Sequence, residues 1–272
     1  MSVFAIARLE LLIARRNMWV ATSLILMGLF SAVLTLAGGA PTGTLGVDPL
    51  LVATTSITTL SVYLIPLIGL LLSFDAIAGE AERGTLALSL TYPLSRGEIL
   101  IGKFLAHLAV LAFAVAVGLG LTAALTIWKY GAGDMSFAPL IRLFFTSLAL
   151  GAAFLGIGYT VSALSRQASV ASGIVIIIWL VCVVLYDLGL LGALVADGGG
   201  FFTKTVFPWL LVANPADAFR LINMPAETVT TLASGIGAAG GASGLAGQLA
   251  SLLLWPVLAL FFAWIALRRV EP

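Results

Sequence analysis

The chain has 272 residues, 61% of them hydrophobic and 9% charged, with a formal net charge of +1 and a mean hydropathy of +1.16. A water-facing surface carries roughly 25% charged residues, so the composition excludes a soluble domain, and the absence of a dense basic cluster excludes a nucleic-acid binder. The single cysteine, Cys182, lies within an apolar run, which excludes an intrachain disulfide and a thiolate metal cluster.

In chain order, the first element is a helix over 1–17. Phe4, Ile6, Leu9, Leu12 and Ile13 alternate with Arg8, Glu10, Arg15 and Arg16, the pattern of an amphipathic helix lying on a membrane surface. Six apolar segments follow over 18–37, 50–74, 104–128, 141–164, 170–191 and 247–267, each about as long as a hydrocarbon layer requires. The first resembles a signal peptide in its flanks, with arginines before it and Gly-Gly-Ala after it. Its apolar stretch exceeds the roughly 7–15 residues of such a segment, so it reads as an uncleaved span. The chain is therefore expected to be an all-α integral membrane protein, with a six-helix membrane domain over 18–272.

If the spans alternate, Arg8, Arg15, Arg16, Arg83, Arg96, Lys103, Arg166, Arg268 and Arg269 share one side. Lys129, Lys204, Arg220 and Arg142 share the other. The positive-inside rule then makes the richer side cytoplasmic and places both termini there.

Two joins exceed simple turns. The cytoplasmic one, 75–103, holds much of the polar surface on its side. The external one, 192–246, contains Phe207-Pro208-Trp209 and Asn214-Pro215-Ala216-Asp217-Ala218-Phe219-Arg220. Its apolar pieces are too short to span and are broken by proline, so short interfacial or re-entrant helices are expected. Its Gly240-x-x-x-Gly244 is either a close helix-packing motif or a flexible lead-in.

Carriers coupled to ion gradients keep ionisable residues at membrane depth. Here every Asp, Glu, Lys and Arg is expected outside the spans or within about a turn of their ends, including Tyr186-Asp187 as helix-end anchors. An ion-coupled mechanism has no visible site. ATP is the alternative source of energy, and Gly97-Glu-Ile-Leu-Ile-Gly-Lys103 fits the first positions of a Walker A loop. Phe104 stands where the Mg²⁺-binding hydroxyl belongs, and the stretch runs into a span instead of following a buried strand. The chain is thus expected to bind no nucleotide and no cofactor. His107, Cys182, Met18, Met27, Met135 and Met224 are soft donors, but no two lie at i, i+3 or i, i+4 on one helix, so no metal site is expected. His107 reads as a polar residue at the cytoplasmic interface. One histidine without neighbouring carboxylates gives an enzyme no catalytic pair.

The stretch Asp75-Ala-Ile-Ala-Gly-Glu80, Gly84-Thr-Leu86, Leu90-Thr-Tyr-Pro-Leu94, Arg96-Gly97 and Asn214-Pro-Ala-Asp-Ala-Phe-Arg220 resembles the signature of ABC-2 type permeases. Within that family it is most similar to the NosY-type membrane subunit of the NosDFY transporter, which supports maturation of the copper enzyme nitrous oxide reductase. The resemblance covers essentially the whole chain. It implies a coupling helix between spans 2 and 3 that docks on an ABC ATPase, with Glu80, Glu82, Arg83, Gly84, Thr85 and Leu86 in that role and Arg96 and Lys103 supporting it. The physical reading agrees in kind: charge on a short helix, a turn at Gly84 and an apolar ridge from Thr85 to Leu88 suit a groove on a partner. The plain alternative is a solvated loop whose charges only enforce topology.

By the same resemblance the chain is one half of a homodimer in the bacterial inner membrane. It works with two NosF-type ATPases, which bind the ATP and Mg²⁺, and with a periplasmic NosD-type protein. Phe207, Pro208, Trp209, Asn214 and Pro215 are the candidate contacts for that protein, or ordinary interfacial anchors. Transport and mechanical transmission both remain open as the task performed. An exporter of a lipid, polymer or hydrophobic compound and an ATP-independent channel or carrier are the alternatives.

Overall fold

A computed structural model describes residues 3–14, 17–37, 48–85, 95–131, 133, 135–224 and 234–268, with residues 234–243 described by backbone alone. Leu86, Ala87 and Leu88 of the expected ridge, along with Arg15, Arg16 and Arg269, lie outside the described residues.

Every regular element among the described residues is helical, and six helices are long and apolar enough to cross a membrane. In hydrocarbon, only a helix or a closed barrel satisfies its own backbone. Helix α1 (Val3–Ala14) precedes the first span, α2 (Met18–Ala37). The second span, α3 (Pro49–Ser73), starts where the Asp48 side chain accepts from the Leu50 N–H. After a turn comes the short α4 (Ala78–Glu82). The third span, α5 (Arg96–Tyr130), opens on a reciprocal cap between Ser95 and Glu98. The fourth is α6 (Ala138–Leu164).

The fifth span runs through α7 (Ala168–Trp179), a π-helical turn (Leu180–Leu185) and α8 (Tyr186–Asp197). Helices α9 (Phe207–Ala213) and α10 (Pro215–Asn223) follow, and α11 (Ser234–Arg268) is kinked at Gly244, from which the sixth span runs to Arg268.

The second span is the axis of the bundle. Of its most apolar stretch 72% is buried, against 17% for the fifth span. It packs on α6 through a core that includes Ile65, Ile68, Leu150, Phe154 and Leu155. Hydroxyls in these spans turn back on their own helices: Thr54, Thr58, Thr122 and Thr126 each donate to the carbonyl four residues earlier, the usual solution for such side chains in apolar surroundings.

Two expectations are corrected by the helix boundaries. The helix that carries the third span begins at Arg96, so the Gly97–Lys103 stretch, expected in the cytoplasmic loop, is helix and cannot form a phosphate-cradling loop. The fifth span continues to Asp197, which places Asp187 inside a spanning helix and not at its end. The apolar residues Leu188, Leu190, Leu191, Leu194 and Val195 follow it.

Helices α9 and α10 form a hairpin whose tip enters the bundle. At the tip, Asn214 donates to the Cys182 carbonyl in the π-helical turn at 2.7 Å. The neighbouring Ala213 carbonyl accepts from Trp255 Nε1 at 2.8 Å. At 1.5 Å per helical residue, Cys182 lies about 21 Å along its span from Ala168, and Trp255 about 20 Å from Arg268. Within a hydrocarbon core of about 30 Å, the tip reaches well into the apolar layer. Non-helical backbone at that depth is tolerated because it is buried in protein.

Candidate functional site

Helix α4 sits at the end of the bundle that also holds α1, Arg96 and Arg268, and its side chains and backbone tie it to several spans. The Ile77 and Ala78 N–H groups, free at the start of a helix, both donate to Ser162 Oγ of the fourth span at 2.9 Å. Glu82 Oε2 accepts from the Ala168 N–H at 2.9 Å and so caps the fifth span. Glu80 Oε1 accepts from Lys103 Nζ of the third span at 2.8 Å, and Lys103 also donates to both carboxylate oxygens of Glu10 on α1, at 3.2 and 3.1 Å. A Cβ at Gly79 would push the Asp75 carboxylate out of its present position.

The outer face of α4 is open. Glu82, Arg83, Gly84 and Thr85 are exposed, while Ala78 and Gly79 are buried. Arg83 pairs loosely with Asp75 at 3.6 Å, a surface pair of small energetic weight. Gly84 has φ 70°, the left-handed region that lets the chain leave the helix without steric cost. Of the expected docking residues, Arg83, Gly84 and Thr85 therefore face outward, Glu80 anchors the helix from beneath, and the exposed Glu82 ties it to the start of the fifth span.

Lys103 is turned inward. Its side chain is 6% exposed, so its observed task is to hold α1, α4 and α5 together, and a partner does not reach it on this surface. Arg96 has a comparable internal role: its guanidinium donates to the Leu267 and Arg268 carbonyls at 2.6 and 3.2 Å, closing the C-terminus of the sixth span. Arg268 in turn stacks over the Trp264 ring at 3.7 Å.

Beside these ion pairs is a cavity of about 700 Å³ lined in part by Glu10, Trp19, Asp75, Glu80, Lys103 and His107. His107 is buried at the same end of the bundle; its Nδ1 shares a 2.7 Å hydrogen bond with the Tyr159 hydroxyl. Among the described residues no group of three or more His, Cys, Asp or Glu could hold a metal ion.

Glu10 and Ser162 complete the arrangement, yet neither is singled out by sequence. Glu10 leaves a trace as an acid on an otherwise basic amphipathic helix. Ser162 is one hydroxyl among many in the spans and leaves none.

At the other candidate surface, Phe207, Pro208, Asn214 and Pro215 are buried and Trp209 is exposed. Asn214 caps α10 by accepting from the Ala216 N–H at 2.9 Å, and Phe207 packs with Leu190 and Leu211. Four of the five expected contacts thus build the hairpin, leaving Trp209 as the one with open surface. The same hairpin carries Asp217 and Arg220 inward, where Arg220 pairs with Asp187 at 2.6 Å. Asp217 and Arg220 lie outside the six spans, as expected of charged residues, whereas Asp187 lies more than a turn from the end of the fifth-span helix.

Residues 4–271 match the profile of a family described as ABC-2 family transporter protein. Two similar proteins carry the name "Probable ABC transporter permease protein NosY". The one from Pseudomonas aeruginosa is 40% identical over 265 residues, covering 95% of this chain and 93% of that protein. The one from Stutzerimonas stutzeri is 38% identical over 278 aligned residues, covering 98% of each.

Proposed function

The chain belongs to the ABC-2 family of transporter proteins, and we propose that it relays ATP hydrolysis by a separate, cytoplasmic ABC ATPase across the bacterial inner membrane through α4. It is a multi-pass permease, the membrane subunit of an ABC transporter. The observation that carries the relay is the set of bonds from α4 to Ser162, Ala168, Lys103 and, through Lys103, Glu10. A push on the exposed Arg83 to Thr85 face loads four helices together, because each bond joins α4 to a different element. On the likeness to the two NosY proteins, the assembly is a homodimer of this chain with two NosF-type ATPases and a periplasmic NosD-type protein, serving copper-site maturation of nitrous oxide reductase. The richer positive charge at the α4 end supports placing that end, with both termini, in the cytoplasm.

The test is cross-linking in membranes from cells that make the full chain together with its ATPase. Arg83→Cys is expected to form an adduct with the ATPase, and Trp128→Cys, exposed at the opposite end, is not. A complex that still co-purifies while Arg83→Cys gives no adduct would remove α4 as the docking element.

A second expectation separates docking from transmission. Ser162→Ala strips both α4 N–H groups of their acceptor, a loss of about 1–3 kcal/mol for buried donors left unpaired, yet leaves the outer face untouched. The Arg83→Cys adduct should persist while the stimulation of ATPase turnover by the permease falls. Unchanged turnover in a folded Ser162→Ala protein would argue against this bond as part of the relay.

A further inference from the structure

The ion cluster under the hairpin is unbalanced. Arg220 gives Nη1 to Asp217 Oδ1 at 2.8 Å and Nη2 to Asp187 Oδ2 at 2.6 Å. A guanidinium keeps its charge in any protein environment, so two ionised carboxylates would leave one negative charge uncompensated. The Asp217 side chain is 1% exposed, and its second oxygen, Oδ2, is buried without a hydrogen-bond partner. Both facts leave the Asp217 carboxylate closed off from water, where an uncompensated charge is expensive.

The neighbours offer no second cation. Tyr63 of the second span lies within electrostatic reach of Arg220, and Tyr186 of the fifth span is near both carboxylates. The Tyr186 hydroxyl is committed to the Leu210 carbonyl at 2.7 Å. From the fourth and sixth spans come Thr146, bonded to Asn223, and Trp255, bonded to the Ala213 carbonyl; both are uncharged. Among the described residues, Arg220 is the one cation paired with Asp187 or Asp217.

A metal ion would need a fuller donor set than this cluster gives: among the described residues no group of three or more His, Cys, Asp or Glu could hold one. A proton needs one oxygen.

We propose that Asp187, Asp217 and Arg220 form a binding site for a single proton, held on Asp217 Oδ2, and that its occupancy fixes α10 against the fifth span. The proton supplies the missing positive charge, turns the orphan oxygen into an O–H group and leaves a neutral cluster. When it leaves, two like charges compete for one guanidinium and the hairpin loosens. The docked hairpin binds more protons than the released one, so docking is fully favoured at low pH and is lost as pH rises. This inference does not depend on the ATPase reading, since it rests on the hairpin alone.

Two readouts test it on the full chain in lipid nanodiscs. The first is the infrared stretch of a protonated carboxyl, recorded in water and heavy water across a pH series. The wild-type protein should show a band that titrates; Asp217→Asn should lose it, and Glu80→Gln should keep it. The second is hydrogen exchange of the 215–223 amides. Protection should fall with rising pH in the wild type and become independent of pH, at the low-pH level, in Asp217→Asn.

If Asp217→Asn does not fold, Asp187→Asn is the substitute. It leaves a neutral Asp217–Arg220 pair and should likewise abolish the pH dependence. No titrating band, a band that survives Asp217→Asn, or a folded Asp217→Asn hairpin that is loose at every pH would overturn the proposal. So would protection that follows sodium or potassium concentration at fixed pH, which would assign the site to a metal cation.

Discussion

Lys103→Met is expected to be the most damaging single change at the α4 end of the bundle. The ammonium is 6% exposed, and the Glu10 and Glu80 carboxylates that it joins are 14% and 20% exposed. Removing one partner of a buried ionic group costs about 3–5 kcal/mol, because the charge left behind has neither water nor a counter-ion. Here two carboxylates are left behind, on helices α1 and α4 that have no other shared tether of this kind among the described residues. The thermal midpoint of the detergent-purified protein should fall steeply, and the adduct of Arg83→Cys with the ATPase should weaken in the same background.

A Lys103→Met protein that also carries Glu10→Gln and Glu80→Gln separates the penalty of orphaned charge from the value of the tether. Replacing a buried ionic set by neutral groups is often close to neutral for stability, so the triple variant should regain most of the midpoint. If Lys103→Met alone melts with the wild type, the ionic set is not what anchors α4.

What was legible in the sequence was set by local pattern. Runs of apolar residues gave the spans because a helix must bury or expose about twenty of them to cross hydrocarbon, and the structure has six such helices in the expected order. Helix α1 was legible for the same reason: Ile6 and Ala14 are buried, whereas Phe4, Leu9, Leu12 and Ile13 are exposed. Its bundle-facing stripe is Ile6, Glu10 and Ala14, with Glu10 meeting Lys103, while Arg8 is exposed with the apolar residues of the other face.

What was not legible depends on pairs far apart in the chain. Lys103 looks like a cation at a helix start until Glu10, 93 positions earlier, is placed against it. Asp187 and Arg220, separated by 33 positions, look like two unrelated interfacial residues. Proline and short length correctly mark α9 and α10 as unable to span, but depth is decided by where Asn214 and Trp255 find partners. A hydropathy reading has no means of seeing those two bonds. Phe207 and Pro208 suffered the opposite error: aromatic and proline residues in an external segment suggest exposure, whereas a hairpin that folds inward uses them as packing.

Gly69→Leu is expected to separate the two central helices and, through them, to disconnect α4. A Cβ at Gly69 would lie 3.1 Å from the Gly151 carbonyl oxygen, 3.3 Å from the Leu155 nitrogen and 3.4 Å from Phe154 Cβ. Two of those atoms are backbone, so no side-chain rotation can make room. Gly158 repeats the arrangement from the other side, where an added Cβ would collide with the Ser73 hydroxyl. Close backbone approach through small residues is how helices gain packing in lipid, where no hydrophobic drive brings them together.

Overpacking a tight contact costs about 1–3 kcal/mol, and a leucine against fixed backbone belongs at the upper end of that range. The displacement also has a direction. Ser73 ends α3, and Ile77 and Ala78, a few residues on, hold Ser162 of α6. Moving α3 away from α6 therefore pulls both N–H groups off their shared acceptor. Gly120→Leu is the matched control, since a Cβ there meets nothing within 4 Å; it should change stability by less than about 0.5 kcal/mol. Thermal midpoints and permease-stimulated ATPase turnover of the two variants decide the matter. Equal values would mean that the α3–α6 contact can yield, and a rigid link from α4 into the bundle could not pass through it.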